Sequence, residues 1–572
     1  MQNWLNKDIK KSFNFHKKAL IIVLGLFGGF FTYIFSKIIQ LKPEGIFIGQ
    51  PNSWSDWVVH ISITNIFANK PISEWFLYHP FFANGKLTYG FLSHLITAMF
   101  MRVGLRIDSA FFIVSVLLSL FFLSGLYFLY FQISKSRKQS ILGIFIFLTS
   151  SGMGIFRYIN HISINQLLFP TKDYSSFVQY DWLAGNILEA MIIPQRAFFI
   201  GVTLGVWVIN LLFWGLKSKE KLSLFKNRQM ISTKQKYYLF AGLIAGLLPI
   251  AHMHSFITIV IVSGIICLFN KHKYKDLIYF VLPAGIISTV LYFCFIHGGI
   301  QIDDFMTITL GWTANKNILT SVGLLASIFN WIIMWLQVWG VFLPTVIFSY
   351  FYFQNDKQFQ KTLPIFFGFM TVFLISNIVI FQPTAWDNTK LFAWVYLGLS
   401  IFVAKLIFKL WSKNLRLKML VIILMILLSS TGVVSILRII NFEQNTFMLS
   451  STSEVLFAKQ IAQNTQTDAI FLTSTNHNHP IPLWANRPIY LGYLGWVRNF
   501  GFDHTQRAKN LNIIFSGQKN ANKVIIDNKI SYIYVGPKER NSLNINEDYL
   551  EQFPIAFKNI DTKVYDTRQL WQ

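Results

Sequence analysis

The sequence predicts a polytopic α-helical membrane protein of about eleven transmembrane helices, followed by an extracytoplasmic α/β domain. Three observations carry this expectation. Hydrophobic residues make up 53% of the chain and charged residues only 13%, whereas soluble domains carry about 25% charged residues. Apolar runs of about 20 residues recur through residues 1–440, long enough to cross a bilayer as helices. At residue 441 the composition turns polar, and short strand-like runs alternate with helical periodicity.

The net charge is +25. No nucleic-acid recognition motif accompanies it, which excludes nucleic acid as a partner. Basic residues collect instead in loops on the cytoplasmic side. Lys7, Lys10, Lys11, Lys17 and Lys18 precede the first apolar run, at 19–41, as in an uncleaved signal anchor. That places the N-terminus inside and the following loop outside. The two cysteines, Cys267 and Cys294, lie in apolar runs and suggest neither a disulfide framework nor a cysteine metal site.

Residues 87–104 are apolar but carry His94 and Arg102. A crossing here would put the basic turn Lys135, Arg137 and Lys138 outside, so the segment is expected to lie in the interface as an amphipathic helix. Further crossings follow at 110–133, 141–159, 197–216, 237–250, 255–269, 277–296, 335–353, 363–381, 391–411 and 419–439. The external loop 160–195 has one lysine, whereas the cytoplasmic loop 217–236 carries seven Lys and Arg residues. Residues 318–331 are expected along the outer surface. In the tail, 469–472, 524–526 and 532–535 read as strands, and 453–464 and 505–515 as helices.

An ionisable residue at a membrane face is a functional candidate. Asp56 and His60, spaced i and i+4, share one face if 54–69 is helical. Such a pair serves a general base or two ligands of a divalent cation; the plainer role for Asp56 is a helix N-cap. Trp54 and Trp57 flank it as a shelter from water. Glu74 and His79 open the interfacial segment, and Lys86 and Tyr89 follow. Lys86 suits a phosphate, or simply snorkels. His252 and His254 form either a metal-binding turn or a polar membrane-boundary turn. Asp387 and Lys390 either pair with each other or free Lys390 for a phosphate, with Trp386 to stack on a sugar ring. Arg196 is a second phosphate candidate. In the tail, 476–480 and 492–498, the latter ending in Arg498, mix aromatic and hydrogen-bonding side chains with glycine or proline, as polyol-binding loops do.

This layout resembles the GT-C class of membrane glycosyltransferases, which includes protein O-mannosyltransferases and aminoarabinose transferases. Asp56 matches the acid of that class's first external loop. His79-Pro80 with Leu87-Thr88-Tyr89 matches a second element, although Trp57 follows the acid where many members have Glu, and Phe81-Phe82 replaces Pro-Leu. The resemblance covers 1–440 by architecture, with external catalytic loop 42–108; the tail 441–572 resembles appended external domains. It implies a polyprenyl-phosphate sugar donor, an acceptor glycan, lipid or protein, and an inverting transfer at the outer face. Asp56 would deprotonate or orient the acceptor hydroxyl; His60 can hydrogen-bond Asp56 or hold a metal with it, and Glu74 is the next candidate for the catalytic acid. Lys86, Arg196 and Lys390 would stabilise the leaving lipid phosphate. A divalent metal ion is left open, with Asp56, His60, His252 and His254 as candidate ligands. Two other classes remain: a flippase for lipid-linked saccharides, which would show inverted repeats, and a non-enzymatic assembly protein.

Overall fold

The computed structural model describes residues 16–162, 169–183, 185–218, 232–270, 274–311 and 324–571. Lys7, Lys10 and Lys11, most of the basic loop 217–236, Lys271 and Lys273, and the start of the expected surface segment 318–331 lie outside the described residues. The chain divides into two compact units. The first comprises Met1–Lys37, Phe112–Tyr292 and Thr307–Asn445; the second comprises Ile38–Phe111, Phe293–Met306 and Thr446–Gln572.

The first unit is built on long apolar helices, and the protein is a polytopic α-helical membrane protein. Among the described residues six helices are long and apolar enough to cross: His16–Ser36, Ile107–Ser134, Arg196–Lys217, Tyr274–Ile296, Ala385–Trp411 and Leu415–Ile440. A seventh span arises if Leu325–Val338 and Phe342–Phe353, bent by 98° at their break, count as one. The segments expected as further crossings form shorter helices. Arg137–Leu148 stops before Ser150-Ser151-Gly152, and Thr233–Gly246 stops short of Pro249. Met253–Phe269 and Leu363–Ser376 have 17 and 14 residues. Glycines let the helices approach closely, the usual device where lipid offers no hydrophobic drive. A Cβ on Gly398 would lie 2.1 Å from the Phe369 ring, and one on Gly205 2.6 Å from the Trp394 ring.

The second unit begins where the sequence reading placed the end of the first crossing. The helix ends at Ser36, and Ile39–Lys42 is a strand rather than membrane helix. It pairs antiparallel with Gly45–Gly49, which pairs antiparallel with Thr446–Ser451 of the tail. Gly45 is required there, since a Cβ would meet the Ser450 carbonyl oxygen at 2.3 Å. A four-stranded sheet follows: Phe471–Leu472 runs parallel to Tyr532–Val535, then Lys563–Asp566 and Ile555–Lys558 add antiparallel. The expected strand at 524–526 is instead inside the helix Ala521–Asp527. Its three consecutive apolar residues carry no periodicity of their own, and Ala521, Val524 and Ile525 bury one helical face.

The external loop and the tail share one core. Phe82 and Ala83 belong to the same buried cluster as Leu472, Ile514, Ile533 and Tyr565. Phe82 stacks on Phe502 with centroids 4.5 Å apart, and the Arg507 guanidinium lies 3.6 Å from the Phe82 ring centre. Backbone bonds Ile489 N–H to Pro80 O (3.0 Å), Ala83 N–H to Ile489 O (3.0 Å) and Gly492 N–H to Phe81 O (2.8 Å) fix the turn against the tail. The segment expected at the interface is the helix Leu92–Arg102, whose 11 residues are too few to cross.

Candidate functional site

The helix Pro51–Asn69 carries Asp56 and His60. Gln50 is its N-cap, at φ 75°, and its side chain accepts a hydrogen bond from Ser53 N–H at 2.6 Å. Pro51 occupies the first turn, where a missing N–H costs nothing. Asp56 is therefore the sixth residue of the helix, and the capping role considered for it falls to Gln50. From Trp57 to Phe67 every residue is buried. Apolar side chains run all round this stretch, as expected of a helix enclosed on every side. Asp56 itself is half-buried.

At 100° per residue, Asp56 and His60 lie about 40° apart on one face. Trp54 points about 160° away from Asp56. Its indole N–H donates to Met448 O at 3.0 Å, and its ring meets His477 edge-on at 4.3 Å. The expected shelter of Asp56 by Trp54 is thus replaced by packing of Trp54 on the tail. Trp57 is buried against Phe111, with centroids 5.4 Å apart.

His60 meets a partner that the sequence reading did not single out. Its Nδ1 is 2.8 Å from Nε2 of His94, on the helix Leu92–Arg102. Both imidazoles are buried, and the Tyr89 ring lies 6.4 Å from His60 and 5.8 Å from His94. One ring must donate and the other accept, so the pair holds a single shared proton along the face that carries Asp56. Only the helix-face position of His94, in a segment read as interfacial, hinted at this in the sequence.

The other candidates of this unit have different surroundings. Glu74 lies 3.9 Å from the Lys70 ammonium. Lys70 donates to Thr467 O at 2.8 Å, and burial, aided by Arg487, lowers its pKa to about 8. His79 is buried, 4.6 Å from Phe500 and 5.3 Å from Phe502 between ring centres. Its Nδ1 accepts from Phe81 N–H at 3.2 Å, and burial pushes its pKa down to about 3. His79, expected as a substrate contact, is thus a buried histidine of this core. Lys86 donates to His297 O at 2.8 Å. Arg498 is exposed on the short helix Leu494–Asn499.

The expected binding loop at 476–480 divides between two roles. His479 is fully buried, 3.2 Å from the equally buried Glu539 carboxylate. Ser474 N–H and Oγ–H, at 2.9 and 2.5 Å, and Gly536 N–H, at 3.0 Å, also donate to that carboxylate. Burial raises the Glu539 pKa, but His479 and Ser474 outweigh it and hold it below the usual range. His477 instead faces Trp54 and Trp496.

In the first unit, Arg196 donates to Ser115 Oγ at 2.7 Å and is buried. Lys390 and Asp387 pair with each other, and the ammonium lies 5.6 Å from the Trp386 ring centre. His252 caps Met253–Phe269: its Nδ1 accepts from Ser255 N–H at 3.2 Å, and the His252 and His254 rings stack at 5.4 Å. Among the described residues no three His, Cys, Asp or Glu side chains gather closely enough to hold a metal ion. Asp56 with His60, and His252 with His254, thus complete no such group within their own units. A buried pair that the sequence reading missed, Glu189 with Arg438, joins the helix Leu415–Ile440 to the π-helical turn Leu188–Ile192. Burial raises the Glu189 pKa to about 7 against the pull of Arg438.

No family model matches the chain, and no curated protein matches it. Solved structures do. The mycobacterial arabinofuranosyltransferase AftD aligns at a TM-score of 0.54 and 11% identity, over 97% of this chain and 41% of its own length. The apo oligosaccharyltransferase of Archaeoglobus fulgidus aligns at 0.53 and 10%, over 92% and 70%. The same enzyme tethered to an acceptor peptide with an NVT sequon aligns at 0.52 and 10%, over 92% and 69%. The identities are low and the alignments span nearly the whole chain, so the likeness is one of fold: this chain has the GT-C-like fold of membrane-embedded glycosyltransferases.

Proposed function

We propose that the protein transfers a sugar from a polyprenyl-phosphate donor to an acceptor glycan, lipid or protein at the outer face of the membrane, with inversion at the anomeric carbon. The observation that carries this reading is a half-buried carboxylate, Asp56, inside rather than at the cap of an enclosed helix, in a chain of GT-C-like fold. Asp56 accepts the proton of the acceptor hydroxyl as its oxygen attacks the anomeric carbon. The bond from that carbon to the phosphate oxygen breaks, and polyprenyl phosphate leaves. General-base assistance of this kind contributes about 10²–10⁴ in rate. The His60–His94 pair orients the face on which Asp56 sits. Lys86, after its bond to His297 O, keeps two N–H donors for the departing phosphate, and Arg498 is a second exposed cation of the same unit.

The reading includes eleven crossings, an inside N-terminus, a transmembrane domain at 1–440 and an extracytoplasmic domain at 441–572. Purified protein with a labelled polyprenyl-phosphate sugar tests the activity. Transfer to an acceptor supports it. Movement of the lipid across vesicles without transfer would make the protein a flippase, and binding alone would make it an assembly factor.

A further inference from the structure

Four helices of the first unit line an open cavity of about 450 Å³. His16, the first described residue of the first helix, lines it, and Thr233–Gly246 starts beside Tyr237. Ile107–Ser134 and Arg196–Lys217 both end there. Their order along the chain, start, end, end, start, is that of helices meeting at one membrane face. It is the face on which the positive-inside rule places the N-terminus.

The lining sorts by chemistry. Trp214 and Tyr237 are aromatic residues of the type that collects at the lipid headgroup level. Gln132 lies between Lys135 and Lys217, and its amide N–H donates to Asn210 Oδ1 at 2.6 Å. Its own side-chain oxygen is buried without a partner. The Lys217 ammonium donates to Gln132 O at 3.3 Å and feels the like charges of Lys135 and Lys361. Among the described residues no carboxylate pairs with Lys135 or Lys217.

Cations near helix C-termini are expected, but that preference does not crowd them together. Lys135 also holds φ at 59°, the left-handed conformation that glycine or asparagine usually supplies after a helix. An anion between two lysines offsets the repulsion of their like charges.

We infer that this cavity binds a phosphate-bearing anion at the cytoplasmic face, held between Lys135 and Lys217 with Trp214 and Tyr237 against its apolar portion. The shared chemistry is a phosphate; its source is an anionic lipid headgroup or a soluble phosphate. This inference is independent of the proposed transferase activity.

The experiment uses the full chain in detergent. Phosphatidylglycerol, phosphatidylcholine and inorganic phosphate are each added, and retention by native mass spectrometry and thermal unfolding are measured. Phosphatidylglycerol should be retained at least about tenfold better than phosphatidylcholine. K135Q/K217Q should lose that preference, K135R/K217R should keep it, and K413Q, at an exposed lysine outside the cavity, should leave it unchanged. A lysine-dependent shift with inorganic phosphate alone would identify the soluble source. In the unmodified protein, acetylation of Lys135 and Lys217 should fall with the bound ligand, a readout that stands even if K135Q/K217Q fails to fold. Equal retention of both lipids without any phosphate effect, unchanged preference in K135Q/K217Q, or unprotected lysines would overturn the inference.

Discussion

Asp56→Asn separates chemistry from folding. The substitution preserves size and removes basicity, so transfer should fall by about two to four orders of magnitude. Gln50, not Asp56, caps the helix, so the melting temperature should stay near that of the parent protein. Gln50→Ala should do the reverse and cost about 1 kcal/mol of stability with little change in turnover per folded molecule. A folded D56N protein with normal transfer would remove Asp56 from the mechanism.

His79 makes a pH prediction with a definite sign. Its pKa is about 3 when folded and about 6.5 when unfolded. The unfolded chain therefore binds more protons in that window. Stability contributed by neutral His79 is complete above about 6.5 and falls as pH drops toward 3, by up to about 1.4 kcal/mol per pH unit. His477, lowered to about 4 by burial and then Lys538, acts in the same direction. Unfolding midpoints measured between pH 7 and 4 should fall, and H79Q should flatten the slope. A parent protein with a flat profile would mean that His79 is not buried neutral.

At the scale of elements, Glu539 ties together Ser474 in the loop after the strand Phe471–Leu472, the start of Pro537–Ser542 and the His479 ring. Glu539→Gln keeps the shape but puts an amide N–H₂ where the carboxylate accepted. Leaving buried donors without their acceptor costs roughly 1–3 kcal/mol, so the tail should unfold at lower denaturant. A loss below about 0.5 kcal/mol, the range of ordinary surface changes, would contradict this account.

Helices were more legible than strands at this scale. The amphipathic tail helices expected at 453–464 and 505–515 are Thr452–Gln463 and Thr505–Phe515. Both have periodicity that needs no partner to be read. The strands Thr446–Ser451 and Gly45–Gly49 pair across about 400 residues of sequence, and a ladder of that kind leaves little local trace. His94 was hidden for the same reason: a lone histidine in an apolar segment gains meaning only when a second helix brings His60 to 2.8 Å.

For the whole molecule, the external loop and the tail fold as one unit. A chain of residues 1–445 loses the strand that pairs with Gly45–Gly49 and the core that holds Phe82. The remaining loop should be cleaved rapidly by added protease and should aggregate, whereas the full chain resists. A truncated protein with a protease-resistant 38–111 segment would show that the loop folds without the tail. Topology is tested in the same preparation of cells: a cysteine placed at exposed Ile560 should react with an impermeant reagent in intact cells, and reaction only after permeabilisation would reverse the proposed orientation.

The sequence alone determined the solvent of this protein. Composition and the lengths of apolar runs are summed over many residues, so the bilayer, the helical class and the polar α/β tail were all readable without contacts. Charge at the loops bore on orientation for the same reason. Only the tertiary structure decided which polar residues are buried. His79, His479, Lys390 and Arg196 share the residue types of binding groups, yet each is buried against a specific partner. Those partners arrive from distant segments or from a local turn that had first to form. A side chain's role here depends on what desolvates it and what it bonds, and neither quantity exists in the unfolded chain.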